Sequence, residues 1–396
     1  MSEFSTIASS PGTRVEEYET VVIGGGQAGL ATGYWLSRLG RPFLILDAGE
    51  EIGDSWRRRW DSMRLFTPAR RDGLPGMRFP APKHSFPSRE EMGDYLEAYA
   101  QHFQLPVRCG VCVDALGRGT DGRFVIAAGE RRFVADHVVI ATGPFSAARV
   151  PDFSDQLDSQ ITQLHSSQYR NPAQLPDADV LVVGAGNSGA DIALELARDR
   201  RVWLSGELGP HIPFNIEGLS GRLIFPLLWQ VWSHVLTFGS PVGRRALPKI
   251  RAGKEPLIRV KPKDLAAAGV ELVPRTIGVR DGQPLLDDER AMAVGGVVWC
   301  TGYRPQHDWI DLPVLDEDCE LVTDHHGAVA SEPGLYRVGR EFLYAFNSHT
   351  VGGVGRDAKR IVEEIARSAD LNPAGRRLLL ERGAVQGRRR AAPLAS

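Results

Sequence analysis

Val180–Ala197 reads VLVVGAGNSGADIALELA, and an equivalent stretch, VVIGGGQAGLATGYWL, occupies Val21–Leu36. Each is a short β-branched run, a G-x-G-x-x-G turn and a stretch with helical spacing of apolar residues. In the earlier copy Gly24 permits the tight strand-to-helix turn. Gly26 lets a pyrophosphate approach the backbone, and Gly29 lets helix and strand pack closely. The helix N-terminus, carrying Gln27 and Ala28, then faces negative charge. The strand FLILD follows and ends at Asp47, 21 positions after Gly26, where a carboxylate accepts ribose hydroxyls.

The later copy repeats the pattern with Gly184, Gly186 and Gly189, and with Asn187 and Ser188 opening the helix. Its second strand, RVWLSGE, puts Ser205 where Asp47 stood. An acid there repels a 2′-phosphate, whereas a small hydroxyl donates to one. Arg200 and Arg201 lie nearby in sequence as candidate positive charge, while Glu207 opposes it. The first site therefore suits FAD and the second NADPH, with NADH as the alternative donor.

HVVIATGP (137–144) and GVVWCTGYRP (296–305) each run a buried strand into a Thr-Gly turn. They read as closing strands of two nucleotide domains, which adds Ala141, Thr142, Gly143, Cys300, Thr301 and Gly302 to the candidate cofactor contacts. The expected fold class is α/β, with two Rossmann-like three-layer dinucleotide-binding domains, the second inserted into the first. The expected boundaries are an FAD-binding domain at 18–170 and 306–370 and an NAD(P)H-binding domain at 171–305. A lid or substrate segment at 209–254 lies within the latter. Residues 1–17 read as a disordered polar tail and 371–396 as a second tail.

Bulk properties agree. The 396 residues are 42% hydrophobic and 24% charged, ordinary for a globular chain of two domains. A net charge of −2 argues against nucleic acid as a partner. The four cysteines, Cys109, Cys112, Cys300 and Cys319, are too few for a disulfide framework. The most apolar stretch, LIFPLLWQVWSHVLTF (223–238), is too short and too interrupted to span a bilayer, and reads as a buried helix or lid. A cytoplasmic protein is expected, and a homodimer is one candidate assembly.

Several motifs in order resemble the flavin-containing monooxygenases, over about residues 19–367. They are GGGQAG, GDSWRRRWDSMRLFTP (53–68), LHSSQYRNP (164–172), GAGNSG, CTGYRP and GLYRVGREFLYAFNSHTVGGVGRDA. Three features depart from the family pattern. The linker lacks the usual Phe-x-Gly, Cys300 replaces an alanine, and Glu207 stands where relatives often carry arginine. The asparagine that many relatives place near the flavin has no counterpart around residues 66–68.

The resemblance implies hydride transfer from NADPH to FAD and oxygen addition to the reduced flavin. The flavin hydroperoxide would then oxygenate a small hydrophobic molecule, so the small partners are that substrate and molecular oxygen. No protein nucleophile is required. The resemblance further implies that Trp56 packs on the cofactor, Arg57 reaches its phosphates, Val113 touches the adenine, and Gly339 lies in the C-terminal FAD segment. His165 and Tyr169 fall in the inter-domain linker. Asn347 and His349, just before the helix of GGVGRDAKRIVEEIA, are candidate flavin-pocket residues. That helix's amides would favour an anionic reduced ring.

Two rival readings stand beside this one. Cys109 and Cys112 spell C-x-x-C, as a disulfide reductase would, although a β-strand there puts the thiols on opposite faces. The other is a flavin reductase, or a non-catalytic FAD/NADPH sensor, that makes no oxygenated product. PSREEMGDYLEAYAQHF opens with Ser88 and Glu91, a capping box that starts an amphipathic helix.

Overall fold

The computed structural model describes residues 15–145, 147–251 and 256–370. Most of the tail expected at 1–17 and all of that at 371–396 lie outside the described residues, but strand β1 already begins at Val15.

The chain builds two parallel-strand sheets flanked by helices. In the first, β1 (Val15–Ile23), β2 (Phe43–Leu46) and β3 (Val107–Arg108) run parallel on one side of β6 (Arg131–Ile140). On the other side, β5 (Phe124–Ala128) and β4 (Ala115–Arg118) form an antiparallel extension, and β16 (Leu335–Arg337) also pairs with β6 in parallel. In the second sheet the strand order is β11 (Glu271–Val273), β10 (Val202–Ser205), β9 (Val180–Val183), β14 (Gly296–Trp299) and β8 (Thr162–His165), all parallel. β16 thus returns to the first sheet after the chain has built the second. The central strands β2, β9, β10 and β14 are buried at every position, as continuous apolar runs covered on both faces must be.

Helix α1 (Gln27–Arg38) packs beside α2 (Arg89–His102) and the long C-terminal α7 (Val351–Asp370) on the first sheet. Ser88 caps α2 as its sequence requires: its hydroxyl accepts from the Glu91 amide, and the Glu91 carboxylate accepts from the Ser88 amide. Helices α3 (Asn187–Leu196) and α6 (Pro262–Ala267) pack together beside the second sheet.

Between them lie α4 (Leu219–Gln230), one π-helical turn at Val231–Val235, and α5 (Pro241–Arg251). The segment read as a buried helix is buried on one side only. Gly221, Phe225 and Trp229 face inward, while Leu219, Leu223 and Leu227 are exposed. It is stapled to the C-terminal segment: the Phe238 amide donates to the Tyr344 carbonyl and the Phe346 amide to the Leu236 carbonyl. Among the described residues, no helix is long and apolar enough to cross a membrane.

One buried histidine makes stability pH-dependent. His137, on β6, is pushed down to about 4 by burial first, then by Arg41 and Arg118. Its Nδ1 is buried without a hydrogen-bond partner. The unfolded chain takes up this proton near pH 6.5, so the group destabilises the fold as pH drops from there toward 4, by up to about 3 kcal/mol. His137→Gln should remove that component. Between pH 7.5 and 4.5, wild type should lose about 2 kcal/mol more stability than the variant in urea titrations. Parallel losses in the two proteins would contradict it.

Candidate functional site: two glycine cradles joined at their Thr-Gly turns

The two glycine motifs fold into near-identical turns. Gly24 and Gly184 have φ of +112° and +109°, in the left-handed region that disfavours a side chain. A Cβ on Gly24 would stand 2.5 Å from the Ala141 carbonyl oxygen, and one on Gly184 would stand 2.3 Å from that of Cys300. Cβ atoms on Gly29 and Gly189 would each fall 1.8 Å from the carbonyl oxygen of Gly24 or Gly184. The middle glycines differ. A Cβ on Gly26 or Gly186 meets nothing within 4 Å, and both have extended backbone that any residue adopts. Their role is therefore to keep the space in front of α1 and α3 open. This is the geometry a pyrophosphate needs at a helix N-terminus, and the residues fit a dinucleotide in each cradle.

Around the first cradle, Asp47 directly follows β2 and its carboxylate accepts from the amides of Gly25 and Gly49, which holds the loop. Val113 packs half-buried next to Val111, whose amide donates to the Asp47 carbonyl. Gly339 (φ +78°) follows β16 and passes so close to Ala28 that a Cβ would come within 2.8 Å of its methyl. The C-terminal segment thereby crosses the first turn of α1. The Trp56 indole donates to Gln27 Oε1 at 3.3 Å and packs on the first core, beside α1.

Arg57 is turned elsewhere. Its guanidinium donates to Asp94, Glu97 and the Ile52 carbonyl, and it also pairs with Glu51 and Glu90. The Asp94 bond, the largest of several contributions, holds its pKa above the usual range. These four carboxylates and the Ile52 carbonyl engage the guanidinium in place of the phosphates that the resemblance implied.

In the second cradle, Asn187 braces the helix start. Its amide donates to the Pro256 carbonyl and its oxygen accepts from the Ile258 amide. Ser188 is half-buried beside it. Two expected phosphate contacts are corrected. Ser205 is buried, and its hydroxyl contacts the Pro274 carbonyl, the Thr276 hydroxyl and the Thr276 amide. Arg200 precedes β10 and donates to Asp199 and the Pro176 carbonyl. It sits at the amino edge of the sheet, a full strand away from the carboxyl edge where ligands bind.

A different basic group occupies the carboxyl edge. Helix α6 runs down into β11, which is parallel to β10, so its N-terminal end lies at that edge. There a cavity of about 320 Å³ is lined by His211, Lys261 and Lys263 together with Pro213 and Pro262. The signal was present in the sequence as VKPKD, but nothing in spacing alone ties it to Gly186.

The chain segments that leave the two carboxyl edges meet. After Thr142 and Gly143 (φ +70°) the chain forms β7 (Ala147–Ala148), and after Thr301 and Gly302 (φ +83°) it forms β15 (Tyr303–Arg304). These two strands pair antiparallel. The Arg149 amide donates to the Gly302 carbonyl, and the Thr301 hydroxyl donates to that of Arg149. Arg59 covers the junction, its guanidinium 4.5 Å from the Phe145 ring centroid while it donates to the Tyr303 hydroxyl at 3.0 Å. His165 donates from Nε2 to the Gly302 carbonyl at 2.9 Å, and burial, foremost, lowers its pKa. Tyr169 donates to Glu195 of α3. Both act as struts.

Asn347 and His349 lie in the turn before α7. Asn347 is buried and donates to the Ser233 hydroxyl of the π-helical turn at 2.9 Å, while its Oδ1 is buried without a partner. His349 is half-buried, edge-on to Phe346.

Cys109 and Cys112 do not lie on a strand. β3 ends at Arg108 and Gly110 takes φ +67°, so the pair sits in a loop. Burial first, then the charges of Asp47, Asp54 and Glu51, raise the Cys109 thiol pKa. That is the reverse of what a redox thiolate needs. Burial pushes Cys300 up to about 12.

The comparisons agree with this geometry. Residues 21–206 match a family described as pyridine nucleotide-disulphide oxidoreductase. The uncharacterized oxidoreductase CzcO-like of Geobacillus kaustophilus is 37% identical, covering 88% of this chain and 98% of its own. The probable indole-3-pyruvate monooxygenase YUCCA9 of Arabidopsis thaliana is 26% identical over 87% of this chain and 88% of its own. A flavin-containing monooxygenase from Stenotrophomonas maltophilia superposes with a TM-score of 0.73 at 27% identity, over 89% of this chain and 99% of that structure.

The cradle geometry separates fold from ligand space. Gly29→Ala and Gly189→Ala should each destabilise the protein by about 3 kcal/mol or more, because a backbone carbonyl must move. Gly26→Ala and Gly186→Ala should stay within about 1 kcal/mol of wild type in the ligand-stripped protein. Urea denaturation of the four variants checks this, and equal losses at all four positions would contradict it.

Proposed function

The chain belongs to the family of the CzcO-like oxidoreductases, within the wider group of flavin monooxygenases, and from that premise we propose an FAD-dependent, NAD(P)H-oxidising monooxygenase acting on a small, largely apolar molecule. The observation that carries the reading is the pairing of β7 with β15, which ties together the segments leaving the two cradles and supports their facing each other. Electrons can pass between two bound nucleotides only if their reactive rings meet, and facing carboxyl edges provide that meeting point.

In this reading the first sheet holds FAD and the second the nicotinamide nucleotide. Bound FAD supplies the capacity to accept a hydride and to activate molecular oxygen. The protein's part is to bind, orient and keep water out. Gly26 and the amides of α1 receive one pyrophosphate, with Asp47 turned to the ribose; Gly186 and α3 receive the other. Trp56 packs on the flavin nucleotide beside Gln27. The N-terminal amides of α7 favour negative charge on the ring, and Asn347 fixes the turn that aims them. Phe66, Trp232, Phe342 and Phe346, in one buried cluster, supply an apolar wall. A cytoplasmic location accords with this chemistry.

The basic group at the second carboxyl edge supplies what Arg200 and Ser205 do not. Lys261 and Lys263, with His211, are the cations for a 2′-phosphate. Lys263→Gln, on the helix's exposed first turn, should raise KM for NADPH about tenfold and leave KM for NADH unchanged. An unaltered NADPH-to-NADH ratio would remove this group from cofactor recognition.

The reaction class is tested with ¹⁸O₂. Turnover with NADPH and a substrate found by screening should place one labelled atom in the product. Full recovery of the NADPH electrons as hydrogen peroxide across the screen would reduce the protein to an oxidase or reductase.

A further inference from the structure

A cavity of about 670 Å³ lies outside both glycine cradles. Its lining includes Arg70, Arg71, Arg78 and Lys83 and no acidic residue. Among the described residues, none of these four cations forms an ion pair. The Nε atoms of Arg70 and Arg71 are buried without a hydrogen-bond partner. One terminal nitrogen of Arg70 reaches only the Arg222 carbonyl, at 3.4 Å.

Burial and the neighbouring Arg70 lower the Arg71 pKa, and no anion acts on it in return. The charges acting on nearby His84, those of Arg70, Arg222 and Lys83, are likewise all positive. Asp72 is adjacent in sequence, but its carboxyl is buried, bonded to the Thr67 hydroxyl, and raised well above the usual range by burial. It is a poor counter-ion. A half-enclosed cluster of like charges without a partner is costly in isolation, and a bound anion offsets that cost.

Two further features define the ligand. The cavity reaches Gly352 in the first turn of α7, whose N-terminal amides serve the flavin ring in the monooxygenase reading, so the charge of this ligand is met by the four cationic side chains. A Cβ on Gly352 would stand 1.9 Å from the Arg71 carbonyl oxygen, so helix and arginine segment are in direct contact. Apolar groups complete the lining: Leu74, Met77, Phe79 and the Trp229 ring, with the Arg71 guanidinium 5.4 Å from the Trp229 ring centroid. Trp229 belongs to the same buried aromatic cluster as Phe342 and Phe346.

We propose that this cavity binds the acidic head of an organic anion with an aromatic body, with Arg70, Arg71, Arg78 and Lys83 recognising the charge and Trp229 stacking on the body. That this anion is the molecule oxygenated rests on the monooxygenase reading. Its binding does not. The cavity's volume lies in the range of small-molecule sites, and its half-enclosed shape suits one ligand rather than a polymer.

The test uses the flavin-loaded protein as purified and titration calorimetry with 1-naphthoate and its uncharged counterpart 1-naphthamide, at low ionic strength and without NADPH. Naphthoate should bind about tenfold tighter than the amide. Arg71→Met, which keeps an apolar stem under Trp229, should bring the two ligands within about threefold of each other. Lys83→Gln and Arg78→Gln alter exposed side chains that the core does not need, and each should reduce the preference about threefold.

Equal binding of acid and amide, no naphthoate binding, or a preference retained in all three variants would overturn the proposal. NADPH oxidation is then followed with and without naphthoate: a charge-dependent preference in calorimetry with no stimulation of NADPH oxidation would leave the anion site standing and detach it from the oxygenation reading.

Discussion

The carbonyl oxygens of Gly24 and Gly184 leave no room for a side chain on the fifth residue after each. That contact fixes how closely α1 and α3 approach their strands, and so where each helix's free amides point. Had either helix packed even a methyl group further out, the amides would aim past the space that Gly26 and Gly186 keep open. The close approach also requires the neighbouring strand to supply a tight ceiling. Ala141 and Cys300 do so, each opening a Thr-Gly turn. A cradle is thus a three-strand object, and its closing residue lies more than a hundred positions from the glycines it completes.

The junction between the cradles depends on a much smaller element. β7 and β15 are two residues each, and they pair only because both Thr-Gly turns put their glycine at positive φ and reverse the chain toward the other sheet. Arg59 and His165 then fill the corner with bonds to Tyr303 and Gly302. Two residues of ladder are weak on their own. Their place matters more than their length: each follows directly on a Thr-Gly turn at a carboxyl edge, so the pairing joins the two edges.

Much of this was legible in the residues. Glycine spacing, the buried strand runs, Asp47 and the Ser88–Glu91 cap are local features, and local sterics dictate them. Other features failed for a common reason. Arg200 and Ser205 flank one strand, and linear proximity conceals that a strand's two ends face opposite edges of the sheet. Arg57 reads as a phosphate ligand until α2 brings Asp94 and Glu97 against it. Cys109 and Cys112 sit among β-branched residues, yet the strand ends at Arg108 and Gly110 at positive φ turns the chain between them. In each case a contact between distant segments, not a propensity, decides the outcome. The Lys261 group escaped notice because it acts through a crossover helix, and ARRDGLPGMRFPAPK because its four cations converge only after the 72–79 segment folds back.

The same logic explains why net charge told so little about ligands. A formal charge of −2 weighs every arginine equally, although Arg57 is neutralised by four carboxylates and Arg71 by none. It also counts nothing for the helix N-termini at Gly26, Gly186 and Gly352, whose partial positive charge resides in backbone amides. Subtracting paired ions and adding unpaired amides leaves three positive concavities on an acidic molecule. Two are built from glycine and one from arginine. The difference has a physical basis: a pyrophosphate needs backbone contact that only a bare Cα allows, whereas an acid on an aromatic body is met by long side chains that reach across an apolar floor. Charge that matters for recognition is charge left unpaired by the fold, and that quantity exists only once the chain has closed.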